Sequence, residues 1–497
     1  MFKLRARIID LETGSLPIVT INESFAKKND IHGMERVEIS CDHAKIVAVV
    51  NISEKMLNED EIGLFEETWK KLKIKEGEIV NVVPVGKPES TKYIRKKMDR
   101  EELFDEEIKQ IVKDIVDEKL TDVELVAFVS SAYMNGMTLA ETTALTKYIV
   151  ETGGKLNLKK KPILDKHCIG GVAGNRTTMV LVPIVASLGF TIPKTSSRSI
   201  TSPAGTADTM EVLANVSFSI EELQDIVKKV GGCIVWGGAI NLAAADDKLI
   251  KVRHPLSLDP EGMMLASIVA KKLAVGATHV IFDLPIGEEA KLKYIGEARH
   301  LEREFKSLTN NFGMKMDTVI TDGSSPIGRG VGPLLEARDV LWLLRKDKKG
   351  PNDLKEKVTM LTGKLLELTG KYAPGTGKTI AEKQINNGAA YKKFMEIIEA
   401  QGGNPKIKPE DLTPGKYTLD YKAEKRGEIT NMKNSVISKI ARAAGCPATP
   451  EAGIYLYKNY GDNVKEGEKV FTVYAQSERN IDNIVKILKE MSPVTIE

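Results

Sequence analysis

The chain has 497 residues, a formal net charge of +3 and 5% aromatic residues. That length exceeds what one hydrophobic core supports, so about two to four domains are expected. The balanced charge, with no basic tract mixed with aromatics, argues against a nucleic-acid groove, and so few aromatics argue against a single-strand stacking platform. Met1 to Arg7 alternates rather than forming an apolar signal core, and no run approaches a membrane span, so a soluble cytoplasmic protein is expected. Cys41, Cys168, Cys233 and Cys446 lie far apart, without a C-x-x-C pair or ligand spacing to the histidines, which predicts reduced thiols and no metal site.

Residues 1–88 read as a small β domain. Phe2, Leu4, Ala6 and Ile8 alternate, as do Val37 and Ile39, then Ile46, Ala48 and Val50. Residues 58–74 read as one amphipathic helix and 77–83 as a returning strand. His32 and His43 lack partners at ligand spacing and read as surface or turn residues. After a linker at 86–90, residues 89–160 form a helical module, joined by helices from about 240–275. Its helices cover 101–120, start at Thr121, and start at Thr138 with the capping box Thr138/Glu141. The charged run 155–161 reads as a solvated loop.

Residues 161–405 alternate β and α, the pattern of an α/β domain with a central, mostly parallel sheet flanked by helices. A strand ending at Pro162-Ile163-Leu164 runs into Asp165-Lys166-His167-Cys168-Ile169-Gly170-Gly171-Val172-Ala173-Gly174, followed by an apolar helix up to Gly189. Strand, glycine loop, helix is a layout that aims backbone N–H groups and a helix dipole at an anion. Lys166, His167 and Thr177 add a cation, an imidazole and a hydroxyl. A second stretch, 195–208, holds Thr195, Ser196, Ser197, Arg198, Ser199, Thr201, Ser202 and Thr206. Two donor-rich loops, each opening a helix, predict two anionic groups bound close together. Ser219 and Glu222 cap a further helix. Strands at 233–236, 279–283 and 317–321 follow, with Asp283 and Asp322 at carboxyl ends, where such sheets bind ligands.

Pro374-Gly375-Thr376-Gly377-Lys378-Thr379 imitates a P-loop ending, but Tyr372 stands where the first glycine belongs, and a helix rather than a strand precedes it. Gly328-Arg329-Gly330-Val331-Gly332 lacks dinucleotide spacing and reads as a turn near the cleft. Residues 406–497 form an α+β, β-rich tail whose turn at 461–468 is similar to that of barrel-sandwich domains. The lysine that would carry biotin or lipoate is missing, so the tail reads as a structural module.

Lys166-His167-Cys168-x-Gly170-Gly171-Val172 resembles the Lys-His-Ser-x-Gly-Gly-Val motif of thymidine and pyrimidine nucleoside phosphorylases. Ser196, Arg198, Thr206 and Asp208 match their second loop. Asn241-Leu242-x-x-Ala245-Asp246, Ser267-Ile268-x-x-Lys271-Lys272 and Ile320-Thr321-Asp322 continue the match over roughly residues 90–497. Ser197, Ser199 and Thr201 replace glycines, Cys168 replaces a serine, and an extra β domain precedes the helical module. These departures resemble the archaeal AMP phosphorylase branch, which splits nucleoside 5′-monophosphates with phosphate into base and ribose 1,5-bisphosphate. Added hydroxyls and Arg198 suit the extra phosphate of a nucleotide.

The resemblance implies phosphate contacts at Lys166, Gly170, Gly171, Ser196 and Thr206, with Thr177 as a further candidate. It implies substrate contacts along Ser197, Arg198, Ser199, Ile200, Thr201 and Ser202, and at Ser267 and Lys291. His167 would line the sugar or base, although a ring fixed by its own loop is the alternative. By spacing alone Asp259 is a helix N-cap before Pro260. The resemblance instead makes it the acid that protonates the departing base, a role that requires burial to raise its pKa. Arg253 and Lys271 are secondary candidates. The reading carries no cofactor and no metal, AMP (or CMP and UMP) and inorganic phosphate as partners, and a homodimer through the helical module, with the N-terminal domain available for larger assembly. A pyrimidine nucleoside phosphorylase, or a phosphoribosyltransferase of the anthranilate type, stays open as an alternative.

Overall fold

The computed structural model describes every residue except Ser15, Ile200, Thr201 and Asn241. The chain divides into two compact units, Met1–Gly153 with Ala243–Ser267, and Gly154–Leu242 with Ile268–Glu497.

In the first unit the alternating N-terminal segments close into a six-stranded barrel, in the order Phe2–Ile8, Glu61–Leu64, Ile18–Asn22, Ala44–Ser53, Arg36–Cys41, Ile79–Val85. Inward residues at period two (Leu4, Ala6, Val37, Ile39, Val80, Val82) are buried. The single helix expected over 58–74 is corrected by this closure. Ile62 and Leu64 are buried as alternate residues of the strand Glu61–Leu64, which pairs with Phe2–Ile8 on one side and Ile18–Asn22 on the other. Without that strand two sheet edges would stand open. The helix Glu66–Leu72 starts only after it. His43 Nε2 lies 2.9 Å from the Leu72 carbonyl, and His32 Nε2 3.2 Å from Asp30.

Helices Ser90–Met98, Asp105–Val116, Asp122–Asn135 and Leu139–Thr152 follow. The first begins at the last residue of the expected linker 86–90, and Ser90 is buried. This helix also carries Lys97 to a fully buried pair with Glu141 at 2.7 Å. Glu141 is also half of the Thr138 capping box, its Oε2 accepting from Thr138 N at 2.8 Å. The helix Ala244–Arg253 packs on this bundle, with Lys248 Nζ donating to the Ile115 and Val116 carbonyls at 3.0 and 3.1 Å.

In the second unit Lys315–Asp322, His279–Ile286 and Leu164–Cys168 form a parallel sheet in that order. A parallel bridge from Ile163 to Thr191 leads to Ile192–Ser196, which pairs in parallel with Gly232–Trp236. The apolar helix Thr177–Ser187 is buried along its length. The sequence placed the first strand's end at Leu164; the register His279↔Leu164 through Asp283↔Cys168 shows that the strand begins there. Lys166 and His167 are therefore strand residues, one pleat apart on opposite faces, and not part of the glycine loop.

The C-terminal segment builds two small antiparallel sheets with helices Asn434–Ala444 and Glu478–Glu490. Gly330–Val331, read as a turn, is instead an edge strand paired with Ile454 and Tyr455. In the P-loop look-alike, a Cβ on Gly377 would lie 2.2 Å from the Gly363 carbonyl oxygen, so glycine there serves close helix packing. Among the described residues no helix is long and apolar enough to cross a membrane.

Candidate active site

The strand Leu164–Cys168 carries charge into the interior of the second unit. Asp165, fully buried, faces Lys272 Nζ at 2.7 Å and Lys194 Nζ at 3.4 Å. On the opposite face Lys166, 2% exposed, donates to Thr177 Oγ1 at 2.9 Å and lies 3.4 Å from Asp283. Asp283, also fully buried, accepts from Thr321 Oγ1 at 2.7 Å and meets Lys357 Nζ at 3.6 Å. Each aspartate thus faces two lysines, and around Asp283 the Lys166 and Lys357 ammonium groups leave one positive charge without a counter-charge among the residues named. Burying a charge is costly unless it is compensated. Among the described residues the Lys357 ammonium and the Ser196 hydroxyl have no hydrogen-bond partner. This is the electrostatic profile of a seat for a multiply charged anion.

Ionisation follows from the same packing. Burial alone would raise the Asp283 carboxyl, but Lys166 and Lys357 outweigh it and hold it below the usual range; Lys194 and Lys272 do the same for Asp165. Burial pulls the Lys194 ammonium down to about 7 despite Asp165. The His167 ring is driven well below the ordinary histidine range by burial and by Lys272, Lys194, Lys166 and Lys271, so it is neutral at physiological pH. Burial and Asp283 push the Cys168 thiol up, which leaves it protonated and unsuited to nucleophilic attack.

Loops at the carboxyl ends of the strands converge above this floor. Gly171 has φ +92°, and a Cβ there would lie 2.6 Å from Lys291 N; a Cβ on Gly174 (φ +70°) would lie 2.2 Å from the Ile327 carbonyl oxygen. Only glycine lets the first loop approach the loops after the neighbouring strands so closely. Asn434, from the C-terminal helix, accepts from Ala173 N at 3.1 Å and donates to the Gly323 carbonyl at 3.2 Å. Arg176, buried, pairs with Glu336 and donates to Thr206 Oγ1 at 3.2 Å and to the Ala204 carbonyl at 2.5 Å, tying the glycine loop to the hydroxyl loop.

In the hydroxyl loop Asp208 Oδ2 accepts from Ser199 N at 2.7 Å and Gly205 N at 2.8 Å. Arg198 does not stand as the open anion donor expected from sequence. Its Nη1 and Nη2 donate to Glu211 at 2.5 and 2.8 Å, Nη1 also reaches Asp208 at 3.1 Å, and the guanidinium lies over the Trp236 ring at 4.8 Å. Two carboxylates within reach of one guanidinium explain the outcome. Ser199 Oγ donates to the Ser202 carbonyl at 2.6 Å, and Ser202 Oγ to Ala204 O at 2.7 Å. Arg442 Nη2, again from the C-terminal helix, donates to Ser199 Oγ at 3.2 Å and to Ser202 O at 3.0 Å. Ile200 and Thr201 lie outside the described residues.

Lys166, His167, Gly170, Gly171, Thr177, Ser196, Ser197, Arg198, Ser199, Ser202, Thr206 and Lys291 therefore share the second unit. Asp259, Arg253 and Ser267 belong to the first. Asp259, expected to be buried, has a side chain 37% exposed and 3.6 Å from Arg253 Nη1. Ser267 Oγ, buried, donates to Asp246 at 2.6 Å. Sequence reasoning missed Lys194, Lys272, Lys357, Arg176, Asn434 and Arg442. The one local signal was Lys194, a charge in the short strand Ile192–Ser196; Lys357 stands beside Lys355 and Glu356 and gives none.

Residues 91–153 match the helical bundle domain of the glycosyl transferase family, 160–391 its α/β domain, and 428–495 the pyrimidine nucleoside phosphorylase C-terminal domain. A protein named AMP phosphorylase from Thermococcus kodakarensis is 46% identical over 100% of the chain and 98% of its own length. Its namesake from Pyrococcus furiosus is 46% identical over 99% and 97%, and that from Methanocaldococcus jannaschii 42% over 100% and 98%. The crystal structure of anthranilate phosphoribosyltransferase from Thermus thermophilus aligns with 62% of the chain and 99% of its own at TM-score 0.54 and 17% identity, a likeness of fold.

Proposed function

The chain belongs to the AMP phosphorylase family, and from that premise we propose that it cleaves AMP with inorganic phosphate, giving adenine and ribose 1,5-bisphosphate, with CMP and UMP as further substrates. The observation that carries this reading is the pair of buried aspartates, each faced by two lysines, beneath a glycine loop. Such a seat suits a nucleophile that arrives as a multiply charged anion and needs positioning and neutralisation rather than activation. Lys166, the Gly170-Gly171 backbone, Ser196 and Thr206 are assigned to phosphate, and residues 197–202 with Lys291 to the nucleotide.

A phosphate oxygen forms the new bond to C1′ as the C1′–N9 bond breaks, and the electron pair of that bond leaves with adenine. Adenine departs as the neutral base when its N7 receives a proton, a step we assign to Asp259 once bound nucleotide covers its exposed side chain; positioned acids contribute about 10²–10⁴-fold. Neutral His167 offers one donor and one acceptor nitrogen to the sugar without adding charge to the oxocarbenium-like centre. A homodimer through the helical module, and a larger assembly through the N-terminal barrel, belong to the same reading, and light scattering on the full chain measures both.

The reaction is tested by supplying phosphate with AMP, adenosine or thymidine. Adenine release from AMP, matched mole for mole by phosphate consumed, is the expected result. Thymine release from thymidine without cleavage of AMP would overturn it in favour of a nucleoside phosphorylase.

A further inference from the structure

We infer that Arg442, carried by the C-terminal helix Asn434–Ala444, is the guanidinium that reads the nucleotide's 5′-phosphate and so determines preference for nucleotide over nucleoside. The inference rests on the nucleotide reading above. It starts from the two arginines at the hydroxyl loop, whose surroundings differ. Arg198 is committed, with both terminal nitrogens on Glu211, Nη1 also on Asp208, and a pKa raised first by the Glu211 bond. A phosphate dianion drawn to Arg198 would meet those two carboxylates at close range, and like charges at such separation repel.

Arg442 touches the same loop through different chemistry. Its Nη2 bonds a hydroxyl and a carbonyl, Ser199 Oγ at 3.2 Å and Ser202 O at 3.0 Å. Both acceptors are neutral, and both contacts are longer than the roughly 2.7–2.9 Å of a charge-assisted bond. Exchanging them for phosphate oxygens is favourable for the guanidinium. The Ser199 O–H meanwhile stays on the Ser202 carbonyl at 2.6 Å, so the loop keeps its internal bond while the guanidinium changes partner.

The helix that carries Arg442 is held in place independently. Asn434, at its first turn, bridges Ala173 N and the Gly323 carbonyl, which fixes it to the glycine loop and to the loop after Lys315–Asp322. One rigid element therefore touches both donor-rich loops, with an amide at the first and a cation at the second. Functional groups mounted on helices keep their geometry better than those on loops. The β-rich tail, which sequence alone reads as a purely structural module, thereby gains a part in substrate choice.

The test uses the full chain with Arg442→Gln and Arg442→Lys. Steady-state kinetics are measured against AMP and against phosphate, and binding of AMP and of adenosine is followed by calorimetry. For Arg442→Gln the KM for AMP is expected to rise roughly 10- to 100-fold, the scale of one lost charged hydrogen bond, while the KM for phosphate stays within about twofold. AMP affinity should fall toward that of adenosine, whose own affinity is unchanged, and Arg442→Lys should recover part of the loss. An AMP affinity within about threefold of the unaltered enzyme would overturn the inference. So would parallel losses for AMP, adenosine and phosphate, the pattern of a loop that has merely collapsed. The calorimetric comparison tests Arg442 even where the unaltered enzyme fails to turn AMP over, a failure that would by itself overturn the proposed reaction.

Discussion

Asp283→Asn is the sharpest probe of the buried charges. The carboxylate is fully buried, 3.4 Å from Lys166 Nζ and 3.6 Å from Lys357 Nζ, and accepts from Thr321 Oγ1 at 2.7 Å. The amide has nearly the same shape and keeps an oxygen for Thr321, so the change removes charge with little effect on volume. Two ammonium groups then lose their counter-ion in the interior. Removing one partner of a buried pair costs about 3–5 kcal/mol. At about 2 °C per kcal/mol for large domains, the melting temperature should drop by roughly 6–10 °C. Phosphate should reverse part of the loss, because a ligand at about 100 times its dissociation constant stabilises by about 2.7 kcal/mol. The assay is thermal melting of both proteins across a phosphate titration. The reasoning fails if the variant melts within about 2 °C of the parent without phosphate, or if phosphate stabilises neither protein.

Other outcomes follow from the same site. Lys194 is held near 7 by burial, below its unfolded value of about 10.4, so its contribution to stability is greatest at alkaline pH and declines as pH falls from about 10 to about 7. Thermal melting from pH 7 to pH 10 reads this: the parent should gain stability with rising pH relative to Lys194→Met, and parallel profiles would count against it. Because His167 stays neutral, the pH profile of kcat/KM between pH 5.5 and 8 should contain no limb that vanishes in His167→Gln. Asp259→Asn should lose about 10²–10⁴-fold in kcat while still binding AMP, and wild-type turnover would remove Asp259 from the role of acid.

Much of the fold is legible locally. The Thr138/Glu141 and Ser219/Glu222 boxes mark helix starts because capping chemistry is complete within four residues. Alternation at Phe2, Leu4, Ala6 and Ile8 marks a strand for the same reason. The strand Glu61–Leu64 was hidden because its evidence is its neighbours: four residues ahead of a helical pattern become a strand only when a barrel needs closing. Gly330–Val331 is a strand only because Ile454 and Tyr455 lie opposite, far along the chain. Ser90 reads as linker because its burial depends on helices distant in sequence.

The site divides along the same line. Lys166, Gly170 and Gly171 sit in one contiguous motif, where a glycine loop and a cation announce an anion. Lys194 and Lys357 carry no motif, and Lys272 stands in a matched segment that gives it no role of its own. Each reaches an aspartate only through parallel strand register or helix packing, across 29 positions for Lys194 and Asp165, 107 for Lys272 and Asp165, and 74 for Lys357 and Asp283. Lys357 follows Lys355 and Glu356 just as a surface lysine would, so its neighbours in sequence do not mark it as buried. The same limit explains the two arginines. Arg198 drew attention because it stands amid hydroxyls, yet Glu211, thirteen positions on, claims it. Arg442 has an unremarkable helical context, and only the packing of a distant module brings it to Ser199. A cation's local company in sequence therefore identifies the loop that could receive an anion, while its neighbours in space decide what that cation is paired with.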